Sequence, residues 1–282
     1  MRKYNNKLVK EYNKEDLEIL ISTMDRNSLD FLIPMFPFCH FSKFSILIIN
    51  QTQENNILTS EFPNVRVINS FEKGLSKSRN LAIQNTIKEI CIIADDDIIY
   101  FPNFENDIIA TFNKLQNAEI ITFNHQRIGF NKPRNSSQIV YEHTKKSIWN
   151  VISFEIAFKT DVIKSKKIYY DENFGLGSFF ETAEEFLFLK MALELKIKTY
   201  FNPLVIVSHP LLCSGDYQGE DKLVYARSAL FCKLQGNMVY FWLFKYIFFI
   251  LRNNYINWNE CIVKFRIGLS GIKKYKELEN LK

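Results

Sequence analysis

The sequence predicts an α/β fold: a mostly parallel sheet flanked by helices, followed by a C-terminal helical extension. Three observations carry this. Apolar runs of strand length alternate with segments of helical period. The runs stop abruptly at polar or charged residues. Prolines and glycines punctuate the chain between them, and such alternation indicates βαβ units.

The elements follow in order. Leu17 to Thr23 reads as a first strand, ending in Met24-Asp25-Arg26-Asn27. Ser45 to Asn50 is a second, ending in Gln51-Thr52, and Val65 to Asn69 is a short third. Between the first two, Pro34 and Pro37 break or shorten a helix. Gly74 precedes a helix over Leu75 to Asn85, and Ile90 to Ala94 is the fourth strand. Pro102 opens a helix to about Gln116, as proline in a first turn does. Glu119 to Phe123 is a further strand, and Gln126 to Lys146 a polar loop or marginal hairpin. Ile148 to Lys159 alternates weakly, like a returning strand. Asp171 to Gly177 is a glycine-punctuated turn, Glu184 to Leu195 has apolar residues at helical spacing, and 198–209 holds the last strand region. Asp221 to Leu234 is a helix.

Met238 to Leu251 is intensely apolar and interrupted only by Lys245. It is shorter than the roughly 20 residues a membrane span needs. Lys245, Arg252 and Lys264 suit a helix lying on anionic lipid. A buried core helix is the other structure this stretch allows.

Composition narrows the function. Of 282 residues, 47% are hydrophobic and 24% charged, ordinary for one large domain with an appendage. The net charge of +5 does not argue for nucleic acid, and no such binding signature occurs. Cys39, Cys91, Cys213, Cys232 and Cys261 are scattered, odd in number and without a CxxC pair, which argues against a disulfide framework or zinc site and fits a reducing compartment. The polar stretch Met1 to Lys14 holds no signal-peptide core, so a cytoplasmic location is expected.

The most informative stretch is Ile90 to Asp97, an apolar strand ending in three carboxylates. Adjacent negative charges repel unless something positive sits beside them, and hard divalent cations take carboxylate oxygens. Ligands of open α/β sheets bind outside the carboxyl ends of strands. An acidic turn is the plainer reading. Glu184-Glu185 opens a helix, where the dipole stabilises anions; the same pair suits a general base. Lys77 and Arg79, behind Gly74, suit phosphate contact or a solvated helical face. His209 follows an apolar run and is a structural histidine, or beside a metal an extra ligand.

In this order the pieces resemble glycosyltransferase family 2, the inverting nucleotide-sugar enzymes of GT-A fold. The resemblance rests on residues 21–27 (ISTMDRN), 74–83 (GLSKSRNLAI), 92–104 (IIADDDIIYFPNF), 174–189 (FGLGSFFETAEEFLFL) and 207–210 (VSHP), within about residues 17 to 212. It implies a Rossmann-like catalytic domain over 1–212, leaving 213–282 as a C-terminal helical region whose apolar and basic residues suit a membrane surface. Asp95 and Asp97 then resemble the Asp-x-Asp carboxylates, with Asp97 holding Mn²⁺ or Mg²⁺ against the donor diphosphate. Asp95 would touch the ribose or the metal, Asp96 would fill the variable middle, and His209 would be a further metal ligand. Glu185 would be the base, and Glu184 would orient it or touch the acceptor. Arg79 would lie near the nucleotide and Asp25 near the base or ribose. Relatives carry Asp where this chain has Asn50, whose amide can meet uracil. The implied activity is transfer of a sugar, from a UDP-sugar above all, to a saccharide or lipid-linked acceptor in surface polysaccharide synthesis. A nucleotidyltransferase would need a glycine-rich loop after the first strand, and Met24 to Ser28 has no glycine. A non-catalytic scaffold would not need Asp95, Asp97 and Glu185 together.

Overall fold

The computed structural model describes residues 10–130, 132–209 and 218–281. Cys213, Pro210 of the 207–210 motif, the expected boundary at 212/213 and most of the N-terminal polar stretch lie outside them. The chain forms two compact units. The first comprises 1–72, 77–169 and 185–211; the second comprises 73–76, 170–184 and 212–282.

The first unit is built on one sheet. Its strands are β1 (Leu17–Met24), β2 (Ile46–Gln51), β3 (Val65–Ser70), β4 (Ile90–Asp95), β5 (Ile99–Tyr100), β6 (Ile120–Arg127), β7 (Tyr141–Glu142), β8 (Ile156–Lys159) and β9 (Thr199–His209). Between them run α1 (Leu32–Met35), α2 (Leu75–Asn85), α3 (Phe104–Lys114), α4 (Thr160–Ser165) and α5 (Glu184–Glu194). The order is β3-β2-β1-β4-β8-β6-β9-β5, with β7 added on β9. β3, β2, β1 and β4 are mutually parallel, as are β6 and β9, while β8, β5 and β7 run antiparallel to their neighbours. β1, β2 and β4 are buried along nearly their whole length, which explains their continuous apolar runs.

Strand order reverses at β1, whose neighbours are β2 and β4 on opposite sides. A crevice opens at such a switch point, outside the carboxyl ends of the strands. Ser22 of β1 pairs with Asp95 of β4, so both strands deliver their polar ends to one level.

Several elements differ from the expectation. Ile148 to Lys159 is a strand only in its last four residues; before them lie two 3₁₀ turns, Ser147–Asn150 and Ser153–Glu155. β6 runs on to Arg127, into the expected loop, because β9 gives it a long partner. The 198–209 region is a single strand with a bulge. The register jumps from Thr122↔Phe201 to Asn124↔Val205, and Pro203, without an N–H for the ladder, lies in the skipped stretch.

Glu18 of β1 is wholly buried. Arg66 Nη2 donates to both its oxygens at 2.9 and 3.0 Å, and the Thr86 hydroxyl adds a bond at 2.6 Å. Such pairing is what a buried carboxylate requires.

The second unit contains α6 (Asp221–Gln235), α7 (Val239–Arg252) and α8 (Cys261–Glu279). A Cβ on Gly271 of α8 would fall 2.2 Å from the Tyr225 carbonyl oxygen, and one on Gly268 would fall 2.4 Å from Leu243. Only glycine lets α8 approach α6 and α7 this closely. Phe174 and Phe180 of the glycine turn pack on Tyr275 of α8.

Candidate active site

The three carboxylates at the end of β4 each meet a different basic side chain. Asp95 Oδ1 accepts from Arg79 Nη2 at 2.9 Å, and its Oδ2 accepts from the Ser153 hydroxyl at 3.2 Å. Arg79 also donates to Ser153 at 2.7 Å. Asp96 accepts from Arg26 through Nη2 at 2.8 Å and Nε at 3.2 Å, and from the Thr23 hydroxyl. Asp97 Oδ2 stands 3.5 Å from His209 Nε2. The hydrogen bond with that imidazole holds the Asp97 carboxyl below the usual range, against the opposing effect of burial. The repulsion read from the sequence is therefore answered by the chain's own Arg26 and Arg79, with the His209 imidazole hydrogen-bonded to the third carboxylate.

These partners sit on different elements. Arg79 is on α2 with its side chain 2% exposed, and Arg26 follows β1 and lies 5.0 Å over the Phe31 ring. Ser153 belongs to the second 3₁₀ turn. His209 ends β9 and stacks on Phe154 at 4.9 Å.

Arg79 also reaches Glu185, with Nη1 4.0 Å from Oε1. The α5 turn that carries Glu185 is held by Phe186 stacked on Trp149 at 3.7 Å. One buried guanidinium thus links the expected base to the first carboxylate of the triplet. Glu184, one residue earlier, belongs to the second unit and is buried there. A Cβ on Gly175 would come 3.3 Å from its carboxyl carbon, and Gly175 holds φ +104°. Ala183 before it sits at φ +63°, a conformation costing a non-glycine residue on the order of 1–3 kcal/mol.

The remaining expected residues are placed as follows. Asp25 is exposed at φ +52°, just beyond β1. Asn50 is fully buried and turned inward: its amide donates to the Arg26 carbonyl and to Asn69, each at 3.0 Å, and its oxygen accepts from the Arg26 N–H at 3.1 Å. It clamps the turn that presents Arg26. Lys77 is paired with Glu72. Sequence reasoning overlooked Arg26 and Ser153. Counting cations at neighbouring strand ends would have found Arg26, which stands in the same turn as Asp25; Ser153 lies in a stretch without periodicity.

Among the described residues no group of three or more His, Cys, Asp or Glu side chains is arranged to hold a metal. Asp97 and His209 form a two-donor pair, and Asp97 is half exposed, at 55%. Carboxylate oxygen with imidazole nitrogen suits a divalent ion of the manganese kind. Asp95 already has both oxygens engaged by Arg79 and Ser153.

Beside this site a cavity of ≈ 390 Å³ is lined by Thr122, Asn135, Tyr141, His143 and Glu155 among others. His143 bonds to the Thr122 and Ser147 hydroxyls at 2.7 and 2.8 Å, and burial pushes its pKa down to about 4. The unfolded chain, with an ordinary histidine near 6.5, takes up this proton first. Its contribution to stability is complete above about pH 6.5 and is lost as pH falls to about 4, about 3 kcal/mol in all. Urea unfolding at pH 7 and pH 4.5 should show a steeper loss in the native chain than in His143→Gln; equal slopes would refute the assignment.

The fold recurs in solved structures of S. aureus TarS. Over TarS 1–349 the TM-score is 0.59 at 13% identity, covering 92% of this chain and 80% of that one. The same TarS segment in complex with UDP-GlcNAc gives 0.57 at 14%, covering 92% and 81%. A longer TarS structure gives 0.51 at 15%, covering 77% of this chain. This likeness fixes the architecture. The chain has the GT-A type of fold expected from its sequence, a mostly parallel sheet flanked by helices with a C-terminal helical region. The chain spans 40% of the longer TarS structure. No family model matches the chain, and no curated protein matches it.

Proposed function

We propose that this protein is an inverting glycosyltransferase that moves a sugar from a nucleoside-diphosphate donor, a UDP-sugar, to a saccharide or lipid-linked acceptor in surface polysaccharide synthesis. The observation that carries the reading is the linked set of Asp95, Arg79 and Glu185 beside the half-exposed Asp97–His209 pair, at the switch point of the sheet. The fold shared with TarS, solved with UDP-GlcNAc, supports the donor class. Four free cysteines among the described residues support a reducing, cytoplasmic setting.

In this mechanism Glu185 takes the proton of the acceptor hydroxyl. The freed oxygen attacks the anomeric carbon from the face opposite the diphosphate. The bond from that carbon to the leaving oxygen breaks, its electron pair stays on the diphosphate, and the centre inverts. Arg79 keeps Glu185 and Asp95 at fixed positions, so neither carboxylate reorganises as charge moves. Asp95 and Asp96, held by Arg79 and Arg26, are rigid acceptors for donor hydroxyls. Asp97 and His209 would hold a Mn²⁺ or Mg²⁺ ion, which when bound supplies positive charge to the departing diphosphate.

A thermal-shift panel of UDP-, GDP-, CMP- and dTDP-sugars, with and without Mn²⁺, tests this reading. A donor at a hundredfold excess over its Kd stabilises the folded chain by about 2.7 kcal/mol. The expected result is a metal-dependent shift with UDP-sugars alone, lost in Asp97→Ala. An unchanged shift in that variant removes the metal assignment, and no shift with any donor removes the activity.

A further inference from the structure

Helix α7 has an unusual outer face. Its inner face, Val239, Leu243, Tyr246, Ile247 and Ile250, is buried in the second unit. At 3.6 residues per turn, Phe241, Phe244, Lys245, Phe248 and Arg252 fall on the opposite side. All five are exposed, Phe244 at 66%. A surface helix normally turns polar residues outward. Here three phenylalanines and two cations face out together. Exposed apolar residues continue along the chain through Tyr255 and Trp258, the latter 80% exposed, into Ile262 and Val263 at the start of α8. Lys245, Arg252 and Arg266 have no carboxylate partner among the described residues. Lys264 differs, being paired with Asp221 at 2.6 Å.

The geometry favours lying on a membrane over crossing it. Asp221–Arg252 taken as one stretch is apolar and long enough to span. It is broken, however, at Gly236, where φ is +57° and a 3₁₀ turn, Gly236–Met238, intervenes. The 14 residues of α7 reach about 21 Å, short of the roughly 30 Å of hydrocarbon. Burial of one face by α6 and α8 leaves the other for a planar apolar surface. Aromatic rings interleaved with cations that have no carboxylate partner, Lys245 lying 4.4 Å over the Phe241 ring, match the boundary of an anionic bilayer, where rings enter the acyl edge and cations meet headgroups.

We propose that the outer face of α7, continued by Trp258, docks the protein onto an anionic lipid surface. This inference does not depend on the proposed transferase activity.

Co-sedimentation of the full chain with phosphatidylcholine vesicles, with and without phosphatidylglycerol, tests it. Binding is expected to the anionic vesicles and to weaken with salt. Removing both cations in Lys245→Ala/Arg252→Ala should weaken it about 25-fold, about fivefold for each. Phe241→Ser/Phe244→Ser/Phe248→Ser should abolish it while circular dichroism and the urea unfolding midpoint show the fold intact. Should the triple variant unfold, Phe244→Ser alone gives the same comparison. A native chain that stays in the supernatant with both vesicle types overturns the proposal. So does a native dimer that the phenylalanine variants convert to monomer, which would assign the face to a second copy of this chain.

Discussion

Arg79→Met is expected to give the largest loss of any single substitution in the first unit, about 3–5 kcal/mol of stability together with all measurable transfer. Arg79 is 1% exposed and donates to Asp95 and Ser153, with Glu185 4.0 Å away. Methionine matches its length but brings no charge, so Asp95 and Glu185 are left facing an apolar side chain. Breaking a buried pair by removing one partner costs this much because the surviving charges lose their counter-ion and most of their water, Asp95 being 28% and Glu185 19% exposed. Arg79→Lys separates charge from geometry. The ammonium restores the net charge but not the planar group whose Nη2 meets Asp95 and Ser153 while Nη1 stands 4.0 Å from Glu185. It should recover part of the stability and little of the transfer, since one charge-assisted hydrogen bond, ~2 kcal/mol, stays unmade. Urea unfolding of the three proteins checks the first claim and turnover with a UDP-sugar the second. A stable Arg79→Met would mean that Asp95 relaxes into solvent, and the link between the carboxylates would fall with it.

The legible parts of this fold share one property. β1, β2 and β4 are buried on both faces, so their runs are apolar and stop where the chain leaves the sheet. The carboxylates that end β4 stood out for that reason. β5 and β7, of two residues each, carry no period and were not legible. Nor were the 3₁₀ turns that bring Ser153 to Asp95, because their sequence alternates no more than a loop does. The second unit gathers 73–76 and 170–184 with the C-terminal helices, a long-range association that no local pattern encodes. α7 shows a related limit. Its sequence is apolar on nearly every side of the helix, so periodicity could not decide between core and membrane, and the structure buries one face and leaves the other exposed. Arg26, the partner of Asp96, also escaped, since ion pairing depends on which strand ends meet.

Glu185→Gln should leave donor binding intact and lower transfer by about 10²–10⁴-fold, the usual contribution of a positioned base. Glutamine keeps the volume and the α5 packing through Phe186 and Trp149, so the fold should be spared. What it cannot do is accept the acceptor's proton. The thermal shift with donor therefore stays at the native value while turnover falls. Asp97→Ala should do the opposite and lose the shift itself. The pair of variants thus separates holding the leaving diphosphate from activating the attacking hydroxyl. Glu184→Gln is the control. Glu184 is buried beside Gly175 in the second unit, with little access to an acceptor, so a neutral amide there should alter turnover by less than tenfold. If Glu184→Gln proves the inactive variant and Glu185→Gln transfers normally, the base is the buried residue. The Arg79–Glu185 contact would then only fix the start of α5.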